Sequence, residues 1–176
     1  MDNYNLIKDL QEEFVSDYQN IFKYMEAVVS SYFSNDIGGN WEFDFKEDRG
    51  YHKIYKQNWK ANGIDIHFEL SMNINSLISQ KISFMLDIEG SKKKLFDAKY
   101  DNIFKNQLES NISKNGLKYR ANKRRDTFAH KSYHILTKNL LKDETLFREQ
   151  IVQMIKDFSF LIEPIDKAIL EFSQDL

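Results

Sequence analysis

The chain has 176 residues, 41% apolar and 30% charged, with a net charge of −2; a chain of this size and balance can bury the core of one globular domain. It holds no cysteine and a single proline, which excludes a disulfide scaffold, thiolate catalysis and cysteine-based zinc sites and fits a reducing compartment. The first residues carry acids where a signal peptide needs bases and an apolar run, and no apolar stretch approaches the roughly 20 residues of a membrane helix. A soluble cytoplasmic protein without membrane contact is therefore expected.

The elements follow in chain order. Residues 4–33 read as one long helix: Ile7, Phe14, Ile21 and Val28 recur every seven residues, and the run ends at the turn cluster of residues 35–40. Residues 41–47 alternate, with Trp41, Phe43 and Phe45 on one face and Glu42, Asp44 and Lys46 on the other. A second strand is expected over 51–60, with Tyr51, Tyr55 and Trp59 on one face, ending at Asn62-Gly63. That dipeptide suits a type I′ hairpin turn, which needs positive φ at both positions. Residues 64–71 and 81–89 alternate most cleanly. Ile64, Ile66, Phe68 and Leu70 oppose Asp65, His67, Glu69 and Ser71, and Ile82, Phe84, Leu86 and Ile88 oppose Ser83, Met85, Asp87 and Glu89. A period of two implies one buried and one wet face, which antiparallel sheets tolerate.

Ser91 is placed to cap a helix over 92–112, with Phe96, Tyr100, Ile103, Phe104 and Leu108 inward and Asn115-Gly116 at its end. Residues 127–141 fit a helical stripe or, as the preferred reading, a strand of a basic hairpin. Residues 144–173 step apolar through Phe147, Ile151, Met154, Phe158, Leu161, Ile165, Ala168 and Phe172, a heptad seam. Pro164 is expected to kink it. The seam should pack on the first helix and the sheet, or serve a homodimer. The whole, residues 1–176, is expected to be a single α+β domain: an antiparallel four-stranded meander plus the basic hairpin, against long N- and C-terminal helices and one middle helix.

Charge is unevenly spread. Residues 1–48 carry −8 and residues 139–176 carry −4, whereas residues 114–138 carry +7. That stretch holds Lys118, Arg120, Lys123, Arg124, Arg125 and Lys131, interleaved with Tyr119, Phe128 and Tyr133. Clustered bases attract phosphate backbones or acidic protein surfaces, and aromatic faces suit unpaired bases. Lys118, Tyr119, Arg120, Lys123, Arg124, Arg125 and Lys131 are the candidate partner-binding residues. The competing possibility is that they neutralise acids of the same chain.

Two catalytic alternatives arise. The wet sheet face collects Glu42, Asp44, Asp65, Glu69, Asp87 and Glu89 with His67, oxygen and nitrogen ligands for a divalent metal. Asp65, His67 and Glu69 would be the ligands in a metal-dependent nuclease. Arg125-Asp126-Thr127-Phe128-Ala129-His130 resembles the Arg-x4-His pattern of HEPN ribonucleases. That resemblance implies metal-free RNA cleavage by Arg125 and His130, within an all-helical bundle. Asp44-Phe45-Lys46 meets only the minimal Asp-x-Lys of PD-(D/E)xK nucleases. Histidines 130 and 134, four apart, share a face but lack a third ligand nearby in sequence.

The layout as a whole resembles the C-terminal region of bacterial and phage proteins that carry an N-terminal PD-(D/E)xK nuclease. The similar features are the long helix, the segments GYHKIYKQNW (50–59) and GIDIHFEL (63–70), a basic strand pair, and a closing helix with LIEPIDKAI (161–169). A nuclease part has no counterpart here, so no catalytic residue carries over. The resemblance implies association with nucleases and a setting of phage–bacterium conflict. The function expected from the sequence is a non-enzymatic interaction module, without a cofactor. It would bind nucleic acid or a nucleic-acid enzyme through its basic stretch, as an accessory or inhibitor protein.

Overall fold

The computed structural model describes residues 3–45, 50–119, 127–135 and 143–174, without the side chains of residues 3–15, 74, 77 and 101–107. Helix α1 (Asn3–Ser31) runs on through one wider turn, Tyr32–Ile37. Then come β1 (Trp41–Asp44), β2 (His52–Lys56), a tight turn of helix at Gln57–Trp59, β3 (Asp65–Ser71), the short α2 (Ile74–Ile78) and β4 (Lys81–Glu89). They are followed by α3 (Lys93–Lys114), β5 (Lys118–Tyr119), β6 (Thr127–His134), α4 (Glu144–Ser159) and α5 (Ile162–Gln174). Among the described residues, six strands form one sheet in the order β1-β2-β3-β4-β6-β5, every pair antiparallel. The α+β class read from the alternation is the class observed. Thr127–His134 is a strand, as preferred; residues 136–141 of that segment lie outside the described residues.

The alternation of β3 and β4 sorts their side chains as expected. Ile66, Phe68, Leu70, Phe84 and Leu86 are buried on one face. The Phe68 and Phe84 rings stack at 5.5 Å, and Phe158 of α4 stands edge-on to them at 6.3 and 5.0 Å. Edge-on contact sets the positive ring rim of one aromatic against the negative face of another. Phe158 and Leu161 are both buried, and Phe158 packs on the sheet. Helix α1 reaches α4 through Tyr24 and Phe147, 5.8 Å apart, and covers the sheet through Phe33, which lies 4.6 Å from Trp41 and 5.8 Å from Phe68. Phe43 and Phe45, expected in the core, are only half-buried. Phe43 is on the edge strand β1 and Phe45 just beyond it, and among the described residues no further strand lies outside β1.

Three local expectations are corrected. The second strand stops at Lys56 rather than residue 60, because the chain coils at Gln57–Trp59 and turns Trp59 inward. There the indole Nε1–H of Trp59 donates to Asp166 Oδ1 on α5 (2.7 Å), and Lys56 Nζ binds Oδ2 of the same carboxylate (2.5 Å). Asn62-Gly63 does form a turn, with φ of 56° and 79° and the Ile64 N–H bonded to Ala61 O at 2.9 Å, but within a longer connection from Lys56 to Asp65 rather than as a two-residue hairpin. Helix α3 starts at Lys93, with Lys92 rather than Ser91 in the cap position and no side-chain cap. The Lys92 N–H is taken by Gly63 O (3.0 Å), which ties the α3 entrance to the Asn62-Gly63 turn.

The closing segment is two helices, not one kinked helix. The break falls at Phe160–Leu161, and Pro164 is the third residue of α5. In a first helical turn a proline gives up no hydrogen bond, because those N–H groups have no intrahelical acceptor. Restarting the helix therefore costs less than carrying Pro164 in an interior. All eight seam residues, Phe147 to Phe172, are buried within one chain. These side chains therefore serve the core of the chain itself.

Truncating Phe158 removes the ring that both sheet phenylalanines meet. Phe158→Ala is expected to lower stability by about 3–5 kcal/mol in urea denaturation. A second expectation comes from His52, buried between the rings of Phe22 (4.8 Å) and Phe45 (5.9 Å), with Nε2–H donating to Met72 O at 3.2 Å. Burial holds its pKa below the ordinary 6.5, against the opposing pulls of the Met72 bond and the Asp44 charge. The unfolded chain then binds the proton first as pH falls. Stability should be full above 6.5 and decline below it, and His52→Leu should flatten that decline in denaturation midpoints taken between pH 5 and 8.

Candidate functional site: a histidine–carboxylate face and a basic sheet edge

The second face of the sheet carries the charge. Strand register sets Lys53 opposite Glu69, His67 opposite Asp87 and Asp65 opposite Glu89. The row through Glu69 continues across Met85 to His130 and then Lys118, so the basic edge and the acidic centre share one surface. This face was expected to be wet. At its centre it is not: His67 is 0% and Asp87 7% exposed. One cause is visible. Lys53 starts on β2, yet its Nζ reaches Glu89 on β4 at 3.2 Å and Asp65 on β3 at 4.0 Å. Its stem therefore crosses β3, as long lysine stems do when only the head needs water.

His67 is held by Asp65. Its Nδ1–H donates to Asp65 Oδ1 at 3.0 Å. In its neutral form, with the proton on Nδ1, the ring has its lone pair on Nε2. That Nε2 is buried and has no hydrogen-bond partner among the described residues. One nitrogen of His67, one oxygen of Glu69 and one of Asp87 all lie within 4.8 Å of one another, as do ligand atoms of Asp65, His67 and Glu89. Of the three residues anticipated as ligands, Asp65 and Glu69 thus fall in different groups that share His67. Asp65 orients the ring, and Asp87, across the sheet from His67, completes the group with Glu69.

The carboxylates differ in electrostatic state. Burial alone would raise Asp65, but the hydrogen bond and charge of His67, with Lys53 and Lys60, outweigh it and hold the group below the usual range. Glu69 goes the other way. Burial, then repulsion from Asp87, pushes its pKa up, and the pull of His67 and Lys53 does not cancel them. Asp87 and Glu69 are thus two acids crowded around a buried imidazole, the arrangement that shifts pKa values at functional sites.

The basic residues divide. Lys118 is exposed on β5, paired with His130. Tyr119 is half-buried, edge-on to Phe128 at 5.2 Å, and Phe128 itself belongs to the core. Lys131 leaves the expected patch, because it points to the apolar face. There its Nζ binds Asp157 Oδ2 of α4 (2.5 Å) and Asn115 O (2.9 Å). Tyr133 Oη–H and Gln153 Nε2–H also donate to Asp157, at 2.9 and 2.8 Å. Burial would raise Asp157, but these donors, Lys131 foremost, hold its pKa below the usual range. Arg120, Lys123, Arg124 and Arg125 lie outside the described residues; the strands on either side of them, β5 and β6, are paired.

For the catalytic alternatives, His130 is in a strand, not in the all-helical bundle that the Arg-x4-His resemblance implies. Arg125 and Lys46 lie outside the described residues. Asp44 ends β1 opposite Lys53. Sequence reasoning passed over the Lys131–Asp157 link and buried His52. The first spans 26 residues and carries no motif; the second sits in the strand that alternates least.

Neutralising the crowded acid should stabilise the fold. A raised carboxyl pKa means stability is present below the unfolded value of about 4.3 and lost as pH rises through the folded one. Glu69→Gln is therefore expected to raise the melting temperature at pH 7 and leave it nearly unchanged at pH 4 in scanning calorimetry. Compared with known proteins, the chain matches no family model, no curated protein and no solved structure.

Proposed function

We propose that this protein is a non-enzymatic module that binds nucleic acid through the basic outer edge of its sheet. One observation carries the reading: the +7 stretch of residues 114–138 includes the outermost strand pair, β5 and β6, with Lys118 exposed there. Lys131 is discounted, since Asp157 neutralises it, and the weight falls on Lys118, Arg120, Lys123, Arg124 and Arg125. A cluster of this kind raises the local concentration of a polyanion and speeds its approach. The resemblance to nuclease-associated regions points the same way. It favours an accessory or inhibitor role in phage–bacterium conflict, with a nucleic-acid enzyme as the other class of partner.

Binding should weaken steeply with salt, because each phosphate neutralised releases condensed counterions. The combined variant Lys123→Glu, Arg124→Glu and Arg125→Glu, first shown by circular dichroism to fold normally, should lose affinity for labelled DNA and RNA. Its log–log salt slope should be about 3 units shallower, roughly one per contact removed. No strand cleavage is expected from the wild-type chain in the same assays. Unchanged affinity and slope in the variant would reduce the cluster to solvated surface. A weak salt effect with a tight protein partner would favour the nucleic-acid enzyme.

A further inference from the structure

We infer that His67, Glu69 and Asp87 form a binding site for one divalent transition-metal ion, with Asp65 as the residue that positions the imidazole. Acidic side chains on a sheet face are not by themselves a site. What sets this face apart is His67, fully buried, with Nε2 unpartnered among the described residues. A buried polar atom without a partner is costly, and native folds rarely leave one without a reason.

The ring is aimed as well as buried. Its Nδ1 is committed to Asp65 at 3.0 Å, so the nitrogen left to face Glu69 and Asp87 is Nε2. Oxygens of both acids lie within 4.8 Å of a His67 nitrogen and of each other, close enough for one ion to draw together. A carboxylate behind the far nitrogen of a metal-binding histidine is the usual way such a ligand is oriented and made more basic. The neighbouring group of Asp65, His67 and Glu89 is a poorer candidate. Lys53 already places a cation against both of its acids, at 4.0 and 3.2 Å.

The ligand types select the ion. One imidazole nitrogen and two carboxylates suit Zn²⁺, Mn²⁺ or Fe²⁺, whereas Mg²⁺ and Ca²⁺ prefer oxygen-only shells. Three protein ligands would leave coordination positions for water or an anion.

The test uses the whole chain, stripped with EDTA, returned to chelator-free buffer and titrated with Zn²⁺ and Mn²⁺ by isothermal calorimetry, with Mg²⁺ and Ca²⁺ as comparators. One saturable site for Zn²⁺ or Mn²⁺ is expected, with much weaker Mg²⁺ and Ca²⁺ binding. Glu69→Gln, whose half-buried position tolerates the change, should weaken binding by about 100-fold or more. Asp65→Asn should weaken it by about 10–100-fold with the stoichiometry kept. No binding of either transition metal overturns the inference. So does equal affinity in Glu69→Gln, which would assign the ion to a surface histidine such as His134, and so does Ca²⁺ binding as tight as Zn²⁺.

Discussion

The rest of the molecule depends on the pairing of β3 with β4. Their register sets Phe68 opposite Leu86 and Leu70 opposite Phe84 on one side, and His67 opposite Asp87 on the other. A slip of one residue would exchange the two sets and put charge against the helices. The apolar side gives α4 a surface of stacked rings to cover, and Phe158 fits edge-on against it. The same pairing assembles the histidine and its carboxylates from two strands. Core and candidate site are thus two faces of one constraint.

Two aspartates fasten the covering helices to the flanks of that sheet. Asp166 of α5 accepts from Lys56 and from the Trp59 indole. Asp157 of α4 accepts from Lys131, Tyr133 and Gln153. Each joins a lysine from a strand to a ring-borne donor beside it, so the partly buried carboxylate keeps both a counter-charge and hydrogen bonds. The arrangement bears on the basic stretch. Part of its charge is internal, since Lys131 answers an acid of the C-terminal region, while Lys118 stays at the surface. Internal neutralisation thus accounts for Lys131, and the proposed recognition falls to the other basic residues of the segment.

On the polar face, burial changes what the residues can do. An exposed row of acids would be ordinary surface. Here the Lys53 stem crosses β3, and His67 lies beneath solvent reach with its tautomer set by Asp65. Water that would satisfy Nε2 on an open face is kept out. The row from Glu69 across Met85 to His130 and Lys118 puts this group and the basic edge on one face of the sheet.

The sequence by itself determined the class of fold, because burial on one face of a strand or helix leaves a period that can be counted. The twofold alternation of 64–71 and 81–89 and the sevenfold seam from Phe147 to Phe172 name core residues without reference to partners. Asn62-Gly63 names its turn because few other pairs accept positive φ. Only the tertiary structure decided how charges were paired and which polar groups were buried. Lys131 and Lys118 are alike in sequence, and one faces the core only because β6 is registered against β4 with α4 above it. His52 and His67 are both fully buried, one among rings and one among acids, and neither fate is written in its neighbours. Pro164 read as a kink became the start of a helix, since the break upstream depends on how α4 and α5 lie over the sheet. Periodicity is a local consequence of burial, whereas charge pairing and desolvation depend on residues brought together from 26 to 110 positions apart.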